Sequence, residues 1–331
     1  VSVADTELPP AARALQERLQ LRLGEVETAL RASVHSEVAV INAAARHVLE
    51  AGGKRFRPQL VLLAAEFGDP DAAGVVPAAL LVELTHVATL YHDDVMDEAQ
   101  LRRGSESANA RWDNKIAILT GDYLFAQASG IVAGLGPEAV RIQAQTFARL
   151  VRGQIREVVG PQPGEEPIEH YLSVVADKTG SLIATSAQFG AMLSGADVTV
   201  QRHLTEFGER IGTAFQLSDD VLDVASESPG FGKTPGTDLR EGVPTLPVLL
   251  AQRSTDPADA PLLDVLASDL SENTRHARAL ALLRAHPSLD EAREVVRSRA
   301  DGARQLLDDL PDVPARAALA SLCDLVVTRS T

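Results

Sequence analysis

Apolar residues recur every three or four positions along almost the whole chain, and alternating or β-branched runs are scarce. That spacing matches the 3.6-residue turn of an α-helix and leaves few stretches able to form a strand. Pro9-Pro10 opens a run through Arg31 that sets Leu15, Leu19, Val26 and Leu30 on one side. A second run extends from Ser36 to Glu50 and stops at Gly52-Gly53. The same periodicity predicts helices over 58–68, 75–101, 107–134, 137–159, 168–193, 198–225, 245–253, 271–285, 289–310 and 313–328, with Gly, Pro or Asp at the breaks. The expected helix content is roughly 70%, about twice the usual share. Residues 160–167 and 227–236 are the clearest loops, and helical texture resumes at once on both sides of each. The fold expected is therefore all-α, one helical-bundle domain over residues 1–331, with residues 1–33 as an N-terminal helix region.

Charge narrows the function. The 331 residues carry a formal net charge of −15. An acidic balance argues against a general nucleic-acid binder, which needs a basic face for phosphate. The single cysteine, Cys323, excludes a disulfide framework and a multi-cysteine zinc site. The apolar stretch 75–91 is interrupted by Pro77, Glu83 and His86, so no membrane span is expected. VSVADTELPP has neither the basic nor the apolar region of a signal peptide. Of 31 cationic residues only Lys54, Lys115, Lys178 and Lys233 are lysines. Codon bias accounts for much of that, but a chain short of lysine keeps it where a compact ammonium is needed.

Two acidic clusters carry the chemistry. Asp93-Asp94-Val95-Met96-Asp97 lies late in one predicted helix, and Asp219-Asp220-Val221-Leu222-Asp223 late in another. Asp93 and Asp97, like Asp219 and Asp223, are four apart and share a helix face, where like charges cost stability. Gln216 lies one turn before the second cluster. A solvated acidic face explains one such cluster, but less readily two that both end apolar helices. Magnesium, bound by a few carboxylates plus substrate phosphates, relieves such crowding and points to a diphosphate ligand. Cations flank the clusters: Lys54 and Arg57 in GGKRFRP, Arg102-Arg103 after the first cluster, Lys178 in DKTG, and Lys233 in the glycine loop after the second.

Taken in order and spacing, GGKRFRP, HDDVMDEAQLRRG, DKTG, and FQLSDDVLD followed by GK and TDLREG resemble the trans-type isoprenyl (polyprenyl) diphosphate synthases, from about Val34 onward. The resemblance implies an all-α isoprenoid-synthase bundle with a central prenyl tunnel, a homodimer, a cytoplasmic location and magnesium dependence, with three ions per active site. It implies isopentenyl diphosphate and an allylic diphosphate as substrates, and transient membrane association for product release. Carried over by matching position, Lys54, Arg57, His86 and Arg103 hold isopentenyl diphosphate. Arg102, Lys178, Thr179, Gln216 and Lys233 contact the allylic diphosphate. Asp93, Asp97 and Asp219 are the principal metal ligands, with Asp94, Asp220 and Asp223 beside them; Asp93, Asp97, Lys178 and Asp219 form the catalytic set. The implied reaction is ionisation, condensation and elimination. One departure stands out: many members carry a lysine after the TDLREG-like segment, where this chain has Val243 and Pro244.

Product length is read from the residues before the first cluster. Thr85, Ala88 and Thr89 lie one to two turns ahead of Asp93 and are small, while Tyr91 lies on another face. A helical turn of about 5.4 Å is close to one isoprene unit, so an unplugged path predicts a medium or long product of about seven to ten units, as in a quinone side chain. A residue from another helix could close the path at a geranylgeranyl product. Among other functions, a terpene cyclase would replace the second cluster with an Asn/Ser/Glu triad. A non-catalytic partner subunit would have lost aspartates or basic motifs. A His-Asp phosphohydrolase would need further histidines at helical spacing, which His35, His47, His170 and His203 do not supply.

Overall fold

The structure, a computed structural model, describes residues 9–226 and 235–330. Helix makes up 77% of the chain. The helices are α1 (Pro10–Ser33), α2 (Ala39–Glu50), α3 (Phe56–Ala65), α4 (Val75–Met96), α5 (Ala108–Arg111), α6 (Asn114–Gly134), α7 (Pro137–Val159) and α8 (Pro167–Val175). After a π-helical turn at Ala176–Gly180 come α9 (Ser181–Leu193), α10 (Val198–Ala225), α11 (Thr237–Arg240), α12 (Leu246–Gln252), α13 (Ala260–Leu266), α14 (Asn273–Ala285), α15 (Pro287–Gln305) and α16 (Pro314–Ser330). Among the described residues the only sheet is one antiparallel hairpin, β1 (Leu101–Arg102) with β2 (Ser105–Glu106).

Periodicity locates α7 and α10 to the residue, and three expected helices break. The 75–101 run ends at Met96, and its tail forms the hairpin, whose two-residue turn puts Arg103 at φ 53° and Gly104 at φ 79°. Such positive values match the twist of paired strands. The 107–134 run splits at Asp113, whose carboxylate accepts the Ile116 N–H at 2.8 Å and starts α6 afresh. The 168–193 run is interrupted by the π-turn.

The chain makes two compact units. The first comprises residues 1–145, 185–205 and 309–319, and its centre is α4. α4 buries Ala78, Leu81, Val82, Leu84, Val87, Ala88 and Tyr91, on all its faces, which is how an internal helix reads. It packs against α1, α3 and α6. The Tyr91 hydroxyl donates to the Ala44 carbonyl of α2 at 2.5 Å. By length and apolarity α4 and α6 could each cross a bilayer, contrary to expectation; α4 instead buries 67% of its apolar window inside the protein, and α6 33%. α9 contributes Gly190, where a Cβ would come within 2.1 Å of the Val61 carbonyl oxygen of α3.

The second unit comprises residues 146–184, 206–308 and 320–331. In it Gly208 and Gly212 of α10 lie so close to Ala184 and Ile183 that side chains there would collide with them. α12 packs on α8 and α15. Arg284 donates to the Val224 carbonyl at 2.8 Å and to that of Ser226, satisfying acceptors at the C-terminal end of α10. That fixes the end of the helix that carries the second aspartate cluster.

Gly190→Ala forces the α9 and α3 backbones apart. It should lower stability by about 1–3 kcal/mol, seen as a reduced thermal midpoint by circular dichroism. An unchanged midpoint would show that this contact does not matter.

Candidate functional site

In the first unit the cations gather around α4. The GGKRFRP loop takes φ 89° at Gly52 and a left-handed Arg55 before α3 begins. Arg55 is the anchor of this loop. Its guanidinium bonds Glu27 at 2.5 Å, the buried Glu83 of α4 at 2.9 Å and the Leu49 carbonyl at 3.1 Å. Arg103, at the hairpin turn, folds back over Gly53, where a Cβ would lie 2.9 Å from its Nη1. Arg57 has a buried Nε with no hydrogen-bond partner, and burial lowers its pKa to about 10. His86, one turn after Glu83, is half-buried. Burial, then the charges of Arg57, Arg103, Arg102 and Arg55, push its pKa well below the ordinary histidine value. A neutral imidazole ringed by guanidinium groups suits a bound anion. Lys54 is exposed beside this group. Thus Arg57, His86 and Arg103 of the expected set lie in one electrostatic neighbourhood.

The first aspartate cluster ends α4. Asp97 is the C-cap and its N–H bonds the Asp93 carbonyl at 2.8 Å. Asp94 is fully buried and accepts from Arg102 Nε at 2.7 Å, while its Oδ2 has no partner. Burial raises its pKa against that bond. Asp93 is half-buried and Asp97 exposed. Upstream, Thr85 and Ala88 are buried and Thr89 is half-buried. The Thr85 hydroxyl donates to the Leu81 carbonyl at 2.8 Å and accepts from the Gln143 amide at 2.9 Å.

The second unit repeats the arrangement on α10. Asp220, the middle carboxylate, is buried, accepts from the Tyr171 hydroxyl and from Gln216 Nε2 at 2.9 Å, and is raised by burial to about 7. The Thr179 hydroxyl donates to Gln216 Oε1 at 3.2 Å, so Thr179, Gln216, Asp220 and Tyr171 form one chain of bonds. Asp223 accepts the backbone N–H groups of Thr237 at 3.1 Å and Asp238 at 3.2 Å. Asp219 pairs with Arg329 of α16 at 2.5 Å. Lys178 lies in the π-turn and pairs with Glu157. Lys233 lies outside the described residues.

Contacts invisible in sequence hold the π-turn. Its Asp177 accepts from Arg149 at 2.9 Å and Arg152 at 2.7 Å, and Arg149 also grips Glu209. Against burial, those two arginines keep Asp177 below the usual carboxylate range. Gly153 of α7 lies so near that a Cβ would sit 2.7 Å from the Lys178 nitrogen. Arg55, Tyr171, Arg149 and Arg329 were not singled out by sequence. Only the pairing of Arg149 with Arg152 three residues on hinted at a shared helix face.

The donor set fits magnesium. Both clusters lie at C-terminal helix ends, the negative pole of the macrodipole, and neither last turn holds a basic residue. Burial does not close off the outer carboxylates of the first cluster: Asp93 is half-buried and Asp97 exposed. Among the described residues no three His, Cys, Asp or Glu side chains converge into a complete metal cage. Magnesium binds one or two carboxylates and completes its shell with phosphate and water.

Comparison with known proteins is consistent across the chain. Residues 38–283 match the polyprenyl synthetase family model. Over 93% of its length the chain is 49% identical to the nonaprenyl diphosphate synthase of Mycobacterium tuberculosis, covering 92% of that protein. The crystal structure of geranylgeranyl pyrophosphate synthase from Corynebacterium glutamicum, complexed with calcium and isoprenyl diphosphate, is 44% identical with a TM-score of 0.86, covering 99% of each chain. A decaprenyl diphosphate synthase from Rhodobacter capsulatus is 34% identical with a TM-score of 0.88, over 97% of this chain and 99% of that one.

The field at His86 has a pH consequence. The native imidazole resists a proton that the unfolded chain accepts near pH 6.5. Stability should therefore fall as pH drops below 6.5, by up to about 1.4 kcal/mol per pH unit from this group. His86→Gln should reduce the drop in urea midpoint between pH 7 and pH 5. Equal acid sensitivity in both proteins would contradict the assignment.

Proposed function

The chain belongs to the polyprenyl synthetase family, and from that premise we propose how its two aspartate clusters and its cations share the work. It is a trans-polyprenyl diphosphate synthase, a prenyltransferase that joins isopentenyl diphosphate to an allylic diphosphate. The observation that carries the site reading is the split within each cluster. The middle aspartates, Asp94 and Asp220, are buried and bonded inward, whereas Asp93, Asp97, Asp219 and Asp223 are more accessible. In this reading the outer aspartates of each cluster carry metal, magnesium in the number of three that the family resemblance implies, and the middle aspartate of each fixes the geometry.

Magnesium, when bound, neutralises the diphosphate and favours its departure. Asp93, Asp97, Asp219 and Asp223 hold that charge at the ends of two helices. Arg102, Lys178, Thr179, Gln216 and Lys233 orient the allylic diphosphate as its C–O bond breaks and the bonding pair leaves with pyrophosphate. Lys54, Arg57, His86 and Arg103 hold isopentenyl diphosphate so that its double bond attacks the allylic cation. A proton then passes to the departing pyrophosphate, which restores the double bond. No side-chain nucleophile is needed; positioning and fixed charge do the catalysis. The apolar wall supplied by α4 keeps water from the cation.

Structures of relatives named for geranylgeranyl and decaprenyl products both match this fold, with TM-scores of 0.86 and 0.88, so side chains rather than the fold decide length. The buried, small Ala88 and Thr85 support a product of about seven to ten isoprene units, at roughly one unit per 5.4 Å turn, and use as a quinone side chain. The Gln143 amide bonded to Thr85 favours the shorter geranylgeranyl alternative. We further propose that residues 1–331 work as one catalytic domain, in the cytoplasm with transient membrane contact, and as a homodimer. The exposed Ile118 and Leu119 of the apolar α6 suit a second copy.

With magnesium, isopentenyl diphosphate and farnesyl or geranylgeranyl diphosphate, chromatography should show products of about seven to ten units. A product stopping at four units would overturn the length assignment, and no elongation would overturn the function. Asp93→Asn and Asp219→Asn should each lower kcat by about 100-fold or more, and Ala88→Phe should shorten the product. Leu119→Glu should shift the protein from dimer to monomer by light scattering; an unchanged mass would remove α6 from the interface.

A further inference from the structure

Asp219 has a partner that neither its motif nor its neighbourhood in sequence announces. Arg329 Nη2 lies 2.5 Å from Asp219 Oδ1. The same guanidinium stacks over the Phe215 ring, 4.7 Å from its centroid, one helical turn before Asp219. The arginine is placed rather than merely attracted: Ser218 of α10 donates to the Val326 carbonyl of α16 at 3.1 Å, which ties that part of α16 alongside the cluster. The ring and the carboxylate together define one position for the guanidinium, with most of both side chains withdrawn from water.

We propose that Arg329 is the resident counter-cation of Asp219 and sets how readily a divalent cation enters the second aspartate cluster. This rests on the reading of Asp219 as a metal ligand. A carboxylate oxygen committed to a charge-assisted bond has to exchange that bond for the incoming ion. The other carboxylates of the cluster are held differently: Asp220 accepts from Tyr171 and Gln216, and Asp223 from backbone N–H groups. Arg329, by contrast, brings a full positive charge to Asp219. Without Arg329 the end of α10 carries one more uncompensated negative charge at the negative pole of the helix. The diphosphate-free protein then becomes a stronger cation binder. Arg329 is thus a positioning residue that acts through Asp219.

The test uses the full chain without diphosphate and Mn2+ as the probe, with free ion counted by electron paramagnetic resonance and binding heat by calorimetry. Arg329→Gln should bind Mn2+ about 2- to 5-fold more tightly than wild type, the range of a partly exposed ion pair. Arg329→Lys should return the affinity to near the wild-type value. Arg297→Gln removes an exposed arginine elsewhere in the second unit and should leave the affinity unchanged. Phe215→Leu, which removes the stacking ring, should tighten binding in the same direction and serves if Arg329→Gln does not fold. Unchanged or weaker binding in a folded Arg329→Gln protein overturns the proposal, as does an equal effect of Arg297→Gln. If Asp219→Asn binds Mn2+ as wild type does, the metal reading of Asp219 falls and this proposal with it. If Asp219→Asn weakens binding while Arg329→Gln changes nothing, the metal reading survives and only the role of Arg329 is lost.

Discussion

A carboxylate at the C-terminal end of a helix faces the negative pole of the backbone dipole, and this chain places three there twice. Nothing in the last turns of α4 or α10 compensates them. The arrangement holds only because each helix is fixed by apolar packing along its length, so the charged end cannot relax away. α4 is buried on every face. α10 is gripped through Gly208 and Gly212, and its terminal carbonyls are satisfied by Arg284. Core packing thus supports an electrostatically unfavourable end, the usual relation between a stable scaffold and a strained functional site.

The protein meets part of that cost with its own ions. Arg102 answers Asp94 and Arg329 answers Asp219. On the cationic side, Glu83 and Glu27 answer Arg55, and Glu157 answers Lys178. These pairs do not have equal standing. Arg55 with Glu83 is nearly removed from solvent, so breaking it would leave an uncompensated buried charge. Lys178 with Glu157 and Arg329 with Asp219 are more open to water. Pairs of that kind contribute little to stability and exchange partners readily. The buried pairs hold the scaffold, and the open ones involve the groups proposed to meet substrate and metal.

Much of this was legible in sequence, because period 3.6 and the i,i+4 rule act over a single turn. The ends of α7 and α10, the all-α fold and the six aspartates followed from local spacing. What escaped depends on residues far apart in the chain. The hairpin at Leu101–Glu106 has strands too short to alternate, and only its Arg-Gly turn could have marked it. The π-turn that presents Lys178 and Thr179 is held by arginines 25 and 28 residues away. Arg329 reaches Asp219 across 110 residues. Arg55 read as one more cation in a basic loop, yet its three bonds into α1, α2 and α4 make it a structural anchor. Motif spacing picked out the groups proposed to touch ligand, but not the residues that hold them in place.

Net charge said least of all. At −15 the chain is acidic overall, yet burial, and then the charges of four neighbouring arginines, keep His86 from taking a proton. Seven residues on, at Asp93, the same helix ends in carboxylates. At about 1.5 Å per residue the reversal takes about 10 Å, close to the Debye length at physiological salt. Charges on the far surface are screened over that distance, so each of these two levels of α4 is governed by its own neighbours. Around one helix, arginines gather at one level and carboxylates at the next. Two diphosphates that differ only in the organic chain they carry can be told apart in this way. In the proposed reading the one that stays intact is suited to the arginine level, and the one that must leave to the level where charge develops as its bond breaks.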